Sequence, residues 1–241
     1  MSRKTNIKLS NKEPFSEPKI SPLVFHNNQI HDNLFKGFRN SFNLSLEYLK
    51  LDTMIITAET ELEQSIIDSE VFQTGAAFNK SKGEGHPEKN TGEHITQILD
   101  FVDIMPWEDY RTDLRIIGLF HDLGKPDVVY SESGHIVGDP HSFISEQIAR
   151  DFIDNEDILY AIRMHDRYFR FYKNNERGKF KQDKFLRTFQ PANLPLLTRF
   201  NYADSNNRKK DSVVWFEDKS AELGLISEKV YEINPKVLSS P

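Results

Sequence analysis

The chain has no cysteine. Disulfides and thiolate metal sites are therefore excluded, and a reducing compartment suits it. Nor does any apolar run approach the roughly 20 residues needed to span a bilayer. Met1 to Asn11 is polar and lacks the apolar core of a secretory signal. The expected location is cytoplasmic, with no membrane partner. An excess of positive charge is missing too: the net charge is −6 and the pI about 5.8. No global basic field gathers a long nucleic acid, so the expected partner is small.

What remains is 241 residues, 37% hydrophobic and 28% charged, enough for one large or two small cores. Residues 1–42 carry Pro14, Pro18 and Pro22 among Asn, Ser and Lys, and read as an extended arm. Residues 43–241 read as a single helical domain. Leucines and isoleucines from Asn43 to Phe72 are spaced for one or two helices, and Asn79 to Gly92 is a glycine-rich loop. His94, Ile95, Ile98, Leu99 and Val102 then share a helical face that ends before Pro106. Leu114, Ile117, Gly118 and His121 share a second, closed by Gly124 and Pro126. Asp139-Pro140 reads as an N-cap with Pro at the first helical position, opening a helix to about Phe152. Ile158 to His165, Leu194 to Ala203 with Asp204 following it, and Val213 to Ile233 offer three more. Only Val128–Tyr130 and Ile136–Val137 suggest strands, as a small hairpin around Ser133-Gly134. The fold class is all-α.

Seven potential metal ligands fall at or near helix ends: His94, His121, Asp122, His141, His165, Asp166 and Asp204. With eight histidines and eighteen aspartates, chance expects about 0.6 His-Asp pairs in a chain of this length. Three occur. His31-Asp32 lies in the arm without a helical face and is set aside, whereas His121-Asp122 and His165-Asp166 follow apolar helical runs. Burying an ionised Asp122 at the end of such a run is costly without a partner, and a cation supplies one. Helix capping offers each residue an ordinary alternative, but all of them together would be independent coincidences. Imidazole and carboxylate suit one or two divalent transition metals: Mn, Fe, Ni, Co or Zn, with Mg admissible.

In order and wording these residues resemble the HD-domain superfamily of metal-dependent phosphohydrolases, over about residues 86–205. The phrasing is closest to the HD region of tRNA nucleotidyltransferases (CCA-adding enzymes) and poly(A)-polymerase-like proteins. His86-Pro87-Glu88 stands eight residues before His94, and Glu93-His94, His121 to Pro126 and Ala203-Asp204-Ser205 read as that family writes them. Lys89-Asn90 departs from the usual Gly-Asp. Residues 1–85 lack the Gly-Ser pair and spaced aspartates of a nucleotidyltransferase domain, so polymerase activity is not implied. The resemblance implies an HD-type helical bundle, with His94, His121, Asp122 and Asp204 around a first metal. His141, His165 and Asp166 would complete a second, bridged by Asp122.

The activity so implied is hydrolysis of a phosphomonoester or phosphodiester by metal-activated water. The substrate would be a small phosphorylated one: a nucleotide, a cyclic nucleotide or an RNA end. Lys125 is placed to meet a phosphate oxygen, and His86 to contact substrate or protonate a leaving oxygen. Arg167 and Arg170, interleaved with aromatics from Tyr168 to Tyr172, can hold phosphates and stack a base; a solvated face over core aromatics is the ordinary reading. Other classes compete: a non-catalytic metal or nucleotide sensor, a partner-binding helical module, or an iron-pair oxygenase.

Overall fold

A computed structural model describes residues 56–79, 90–205 and 211–230. All of them fall in one compact unit, Leu51–Pro241. The expected arm, the stretch 43–55, residues 80–89 with His86, residues 206–210 and the tail beyond residue 230 lie outside the described residues. The described residues are helical, as the sequence implies.

The helices are α1 (Glu61–Ile67), α2 (Glu70–Ala76), α3 (Thr91–Ile104), α4 (Glu108–Phe120), α5 (His141–Ala149), α6 (Glu156–Met164), α7 (Arg167–Glu176), α8 (Gln182–Thr188), α9 (Leu194–Asp204) and α10 (Asp211–Glu222). Their starts follow from local chemistry. Thr60, Ser69, Asn90 and Asn155 accept backbone N–H bonds from the first turns of α1, α2, α3 and α6. The cap on Asn90 starts α3 earlier than the sequence suggests, so Gly92 is helical and buried instead of looped. α5 starts one residue later than expected: Pro140 is extended (ψ 156°) and is itself the cap, its carbonyl taking the first helical bonds. α5 also stops at Ala149, short of Phe152. α7 and α8 correspond to no helix read from the sequence, and α10 ends at Glu222.

α4 is the axis. Leu114 to Phe120 are buried on every side, as a helix surrounded by others must be. It packs against α3, α6 and α9, while α5 packs on α6 and α7 on α10. At Gly118 an added Cβ would meet Ile98 Cγ2 at 3.1 Å, so the missing side chain lets α3 close in. Beneath α1, buried Arg115 bonds Glu63 (2.9 Å), Asp103 (2.9 Å) and the Thr57 carbonyl. Removing one partner from such a buried charge set costs about 3–5 kcal/mol. Within the same core the rings of Phe171, Phe185, Phe189 and Phe216 join α7, α8 and α10 at centroid distances of 4.8 to 5.9 Å.

Among the described residues there is no strand beyond isolated bridges. The expected hairpin survives as one of them, Tyr130 with Ile136, plus a bond from Val137 N–H to the Val129 carbonyl. Gly134 turns it at φ 76°. No described helix is long and apolar enough to cross a membrane.

Candidate metal centre

Helix ends converge on one point. His94 sits in the first turn of α3, His121 and Asp122 directly follow α4, His141 opens α5, His165 follows α6 and Asp204 closes α9. Residues 110 positions apart in sequence are thus neighbours: His94 Nε2 lies 2.8 Å from Asp204 Oδ1. His121 Nε2 lies 3.3 Å from Asp122 Oδ2 and 3.7 Å from Asp204 Oδ1. Across the other carboxylate oxygen, Asp122 Oδ1 is 3.5 Å from His141 Nε2 and 3.9 Å from His165 Nε2. The two ring nitrogens of that pair are 3.2 Å apart.

Two triads emerge, His94–His121–Asp122 and Asp122–His141–His165, each with its ligand atoms within 4.8 Å of one another. They share one residue, and the carboxylate divides its oxygens between them. Oδ2 faces the first triad and Oδ1 the second.

The ring tautomers decide what fits here. His121 Nδ1 is 3.0 Å from the Gly118 carbonyl, and His165 Nδ1 is 2.7 Å from the Ile162 carbonyl. A carbonyl only accepts, so each Nδ1 carries the proton and each Nε2 presents a lone pair. His121 Nε2 is fully buried, has no hydrogen-bond partner, and points its lone pair at a carboxylate. Two acceptors face each other at that spacing, which is unfavourable unless a cation lies between. Metal–ligand bonds of about 2.1 Å put neighbouring donors about 3.0–3.4 Å apart in octahedral or tetrahedral geometry. Most separations in the centre fall near that range. The donor set is nitrogen and oxygen only, which suits Mn, Fe, Co, Ni or Zn without selecting among them.

Electrostatics keep the ligands in their binding forms. Burial pushes the His121 imidazolium down, and it pushes His141 down to about 4 with help from neighbouring His165. For Asp122 burial alone would favour the neutral acid, but His121, Lys125 and His165 together hold its carboxyl well below the usual range. Neutral imidazoles around an ionised carboxylate are what a divalent cation requires.

The remaining expected site residues are placed as follows. Lys125 donates to Asp122 Oδ2 and stays partly exposed, in a short 3₁₀ turn. Asp166 caps α7, outside both triads but close enough for its charge to act on His141. Arg167 and Arg170 are exposed on α7, whose Tyr168 and Phe171 belong to the core; the basic-aromatic stretch is therefore split between the two readings.

Several supporting residues carry no sequence motif. Phe200 packs its ring against His121 (5.3 Å) and His165 (6.3 Å). Gly124 donates its N–H to Ser145 (2.9 Å), and a Cβ there would collide with the His141 carbonyl at 2.5 Å and Ser145 N at 2.8 Å. Only glycine lets the chain leaving Asp122 press onto the start of α5, which is what brings His141 to the carboxylate. Its place in a Gly-Lys-Pro stop signal hid this role. Asn201, one turn before Asp204, is wholly buried with neither amide atom hydrogen-bonded.

Residues 88–188 match the family model for the HD domain. The match covers less than half of the chain, includes five of the ligands from His94 to His165, and stops before Asp204. It supports the HD-domain superfamily, whose members are generally metal-dependent hydrolases. No curated protein matches the chain.

Proposed function

We propose that this protein is a metal-dependent phosphohydrolase that cleaves a phosphomonoester or phosphodiester of nucleotide type, in the cytoplasm. One observation carries the reading: a single buried carboxylate, Asp122, serves two His-containing triads through separate oxygens. Divalent cations held there supply Lewis acidity toward a phosphoryl oxygen and lower the pKa of water.

The chain's own residues do the rest. His121 and His165 are fixed in orientation by the Gly118 and Ile162 carbonyls, so no reorganisation is needed on binding. Phe200 covers the inner side of both rings and excludes water from it. Lys125, partly exposed beside Asp122, is a cation that an incoming phosphate meets. His86 is the proposed proton donor to the leaving oxygen.

The test is metal analysis of the purified chain, together with a phosphatase and phosphodiesterase screen in Mn²⁺ or Ni²⁺. Bound metal near two ions per chain and turnover lost in Asp122→Ala are expected. Bound metal with tight nucleotide binding but no turnover would make the protein a sensor. A chain that takes up no metal, and shows no thermal shift when metals are added, ends both readings.

A further inference from the structure

The net charge of −6 conceals a strong local field of the opposite sign. Residues 163–187 contain nine Lys and Arg against three Asp and Glu, a local balance of +6 in 25 residues. All nine cations are exposed. Four of them, Arg167, Arg170, Lys173 and Arg177, recur every three or four residues and form one stripe along α7. The stripe is about 15 Å long at 1.5 Å per residue, and it begins one residue after Asp166. Lys184 and Arg187 extend the charge onto α8, which packs against α7 through Phe171 and Phe185.

Ion pairing does not consume this charge. Lys173 pairs with Glu176 at 2.9 Å and Arg163 with buried Glu146 at 3.4 Å. Arg167, Arg170, Arg177, Lys184 and Arg187 have no ion pair among the described residues. An apolar ring lies within the stripe: Phe169 is 48% exposed, with the Lys173 ammonium 5.5 Å from its centroid. Tyr172, 6.3 Å from Phe169, stands beside it half-buried. Helix stability explains neither the exposed phenyl nor the uncompensated cations, since like charges three and four residues apart on a helix repel.

We infer that the exposed face of α7 and α8 is a docking surface for a single-stranded polynucleotide. The cations follow the phosphate backbone, and Phe169 with Tyr172 offers a ring platform on which an unpaired base stacks. A duplex, whose bases are already stacked, gains nothing from that platform, and one half-exposed phenyl offers an anionic membrane little apolar area to bury. The stripe starts at the second triad, where His141 is 20% exposed, so a strand lying on it brings its end to the more open side of the centre. That last step rests on the phosphohydrolase reading. Docking itself does not.

Binding is therefore measured on the full chain with metals chelated by excess EDTA, which separates failure of docking from failure of catalysis. The probes are fluorescein-labelled 20-mers of oligouridine and oligothymidine, followed by anisotropy between 50 and 200 mM NaCl. Binding that weakens with salt is expected. The triple variant Arg170→Gln, Lys173→Gln, Arg177→Gln should bind at least tenfold more weakly at 50 mM and flatten the log–log salt slope by about 2, at roughly 0.7 per phosphate contact. Phe169→Ala should weaken binding about fivefold or more without changing the slope. Unchanged circular dichroism and melting temperature keep these exposed substitutions interpretable. The inference is overturned if neither oligomer binds at 50 mM, or if the triple variant binds like the parent. Equal affinity for a 20-base-pair duplex overturns it as well, as does binding to phosphatidylserine vesicles in preference to the oligomers.

Discussion

The two triads are built from the same residue types yet sit in different environments. The rings of the first are sealed, His94 and His121 being at most 1% exposed, and His121 Nε2 has no hydrogen-bond partner; the 19% exposure of Asp204 lies at its edge. The second is open, with His141 partly exposed and the basic stripe of α7 beginning beside it. A sealed set of donors favours retention of an ion, whereas an open one admits substrate and exchanges its ion with solvent. The difference assigns a holding role to the inner triad and a substrate-facing role to the outer one, and the following variants test that division.

The largest effect should come from the residue common to both. Asp122→Ala removes the shared carboxylate and leaves Lys125 without its partner. Loss of both ions by elemental analysis and a fall in turnover of roughly 10³-fold or more are expected, the scale seen when a key charge-stabilising group is lost. Retention of one full equivalent of metal would show that the triads are independent.

Gly124→Ala should separate them. Its added methyl strikes the His141 carbonyl and the Ser145 amide, both backbone atoms that cannot step aside without moving α5. The outer triad should lose affinity by about 10–100-fold, as when a supporting contact of a ligand is removed, while the inner one keeps its ion. Two-step metal titration by calorimetry reads this directly. Equal weakening of both steps would contradict the division.

Acid should act on both triads, in a direction set by burial. Folded His121 and His141 are pushed below the ordinary value of about 6.5, His141 to about 4. The unfolded chain therefore takes up protons first as the pH falls. Stability of the EDTA-treated protein should be level above about pH 6.5 and decline from there toward pH 4. The depressed Asp122 carboxyl adds its own loss only below its unfolded value, near 3.9. His141→Asn should flatten part of the decline, and melting temperature against pH is the measurement. An unchanged profile would mean that the outer imidazole titrates normally.

Much of this was legible in the sequence because it depends on spacing. The apolar runs ahead of His121 and His165 mark helices whose ends must lie in the interior, and those are the ends that meet. Asp204 was legible as a helix-end carboxylate, but its grouping with His94 came only from the resemblance, since the 2.8 Å approach depends on how α9 crosses α3. Gly124, Phe200 and the Arg115 network were not readable, because each acts through a neighbour distant in sequence. α7 was obscured for another reason: its alternation of Arg with aromatics looks like a binding motif, yet two of its four rings, Tyr168 and Phe171, simply enter the core. Overall charge is a coarse measure for a similar reason, since a sum over the whole chain erases a field confined to 25 residues.

The smallest effect belongs to the inner side alone. Thr91 Oγ1, on the same face of α3 as His94, and both amide atoms of Asn201, on α9 one turn before Asp204, are buried without a hydrogen-bond partner. A buried polar group left unmatched costs about 1–3 kcal/mol. Such a cost persists in a core only if the group does something a hydrocarbon cannot. Asn201→Leu keeps the same number and branching of side-chain heavy atoms and removes the mismatch; with the cost of its bulkier methyls set against that gain, the EDTA-treated variant should unfold at higher denaturant, by up to about 1 kcal/mol, with an unchanged m-value. If the inner triad is the holding one, the same substitution should weaken the first step of a metal titration and spare the second. A variant that is destabilised would show that the amide already has its partners, and the contrast between a sealed inner triad and an open outer one would then rest on exposure alone.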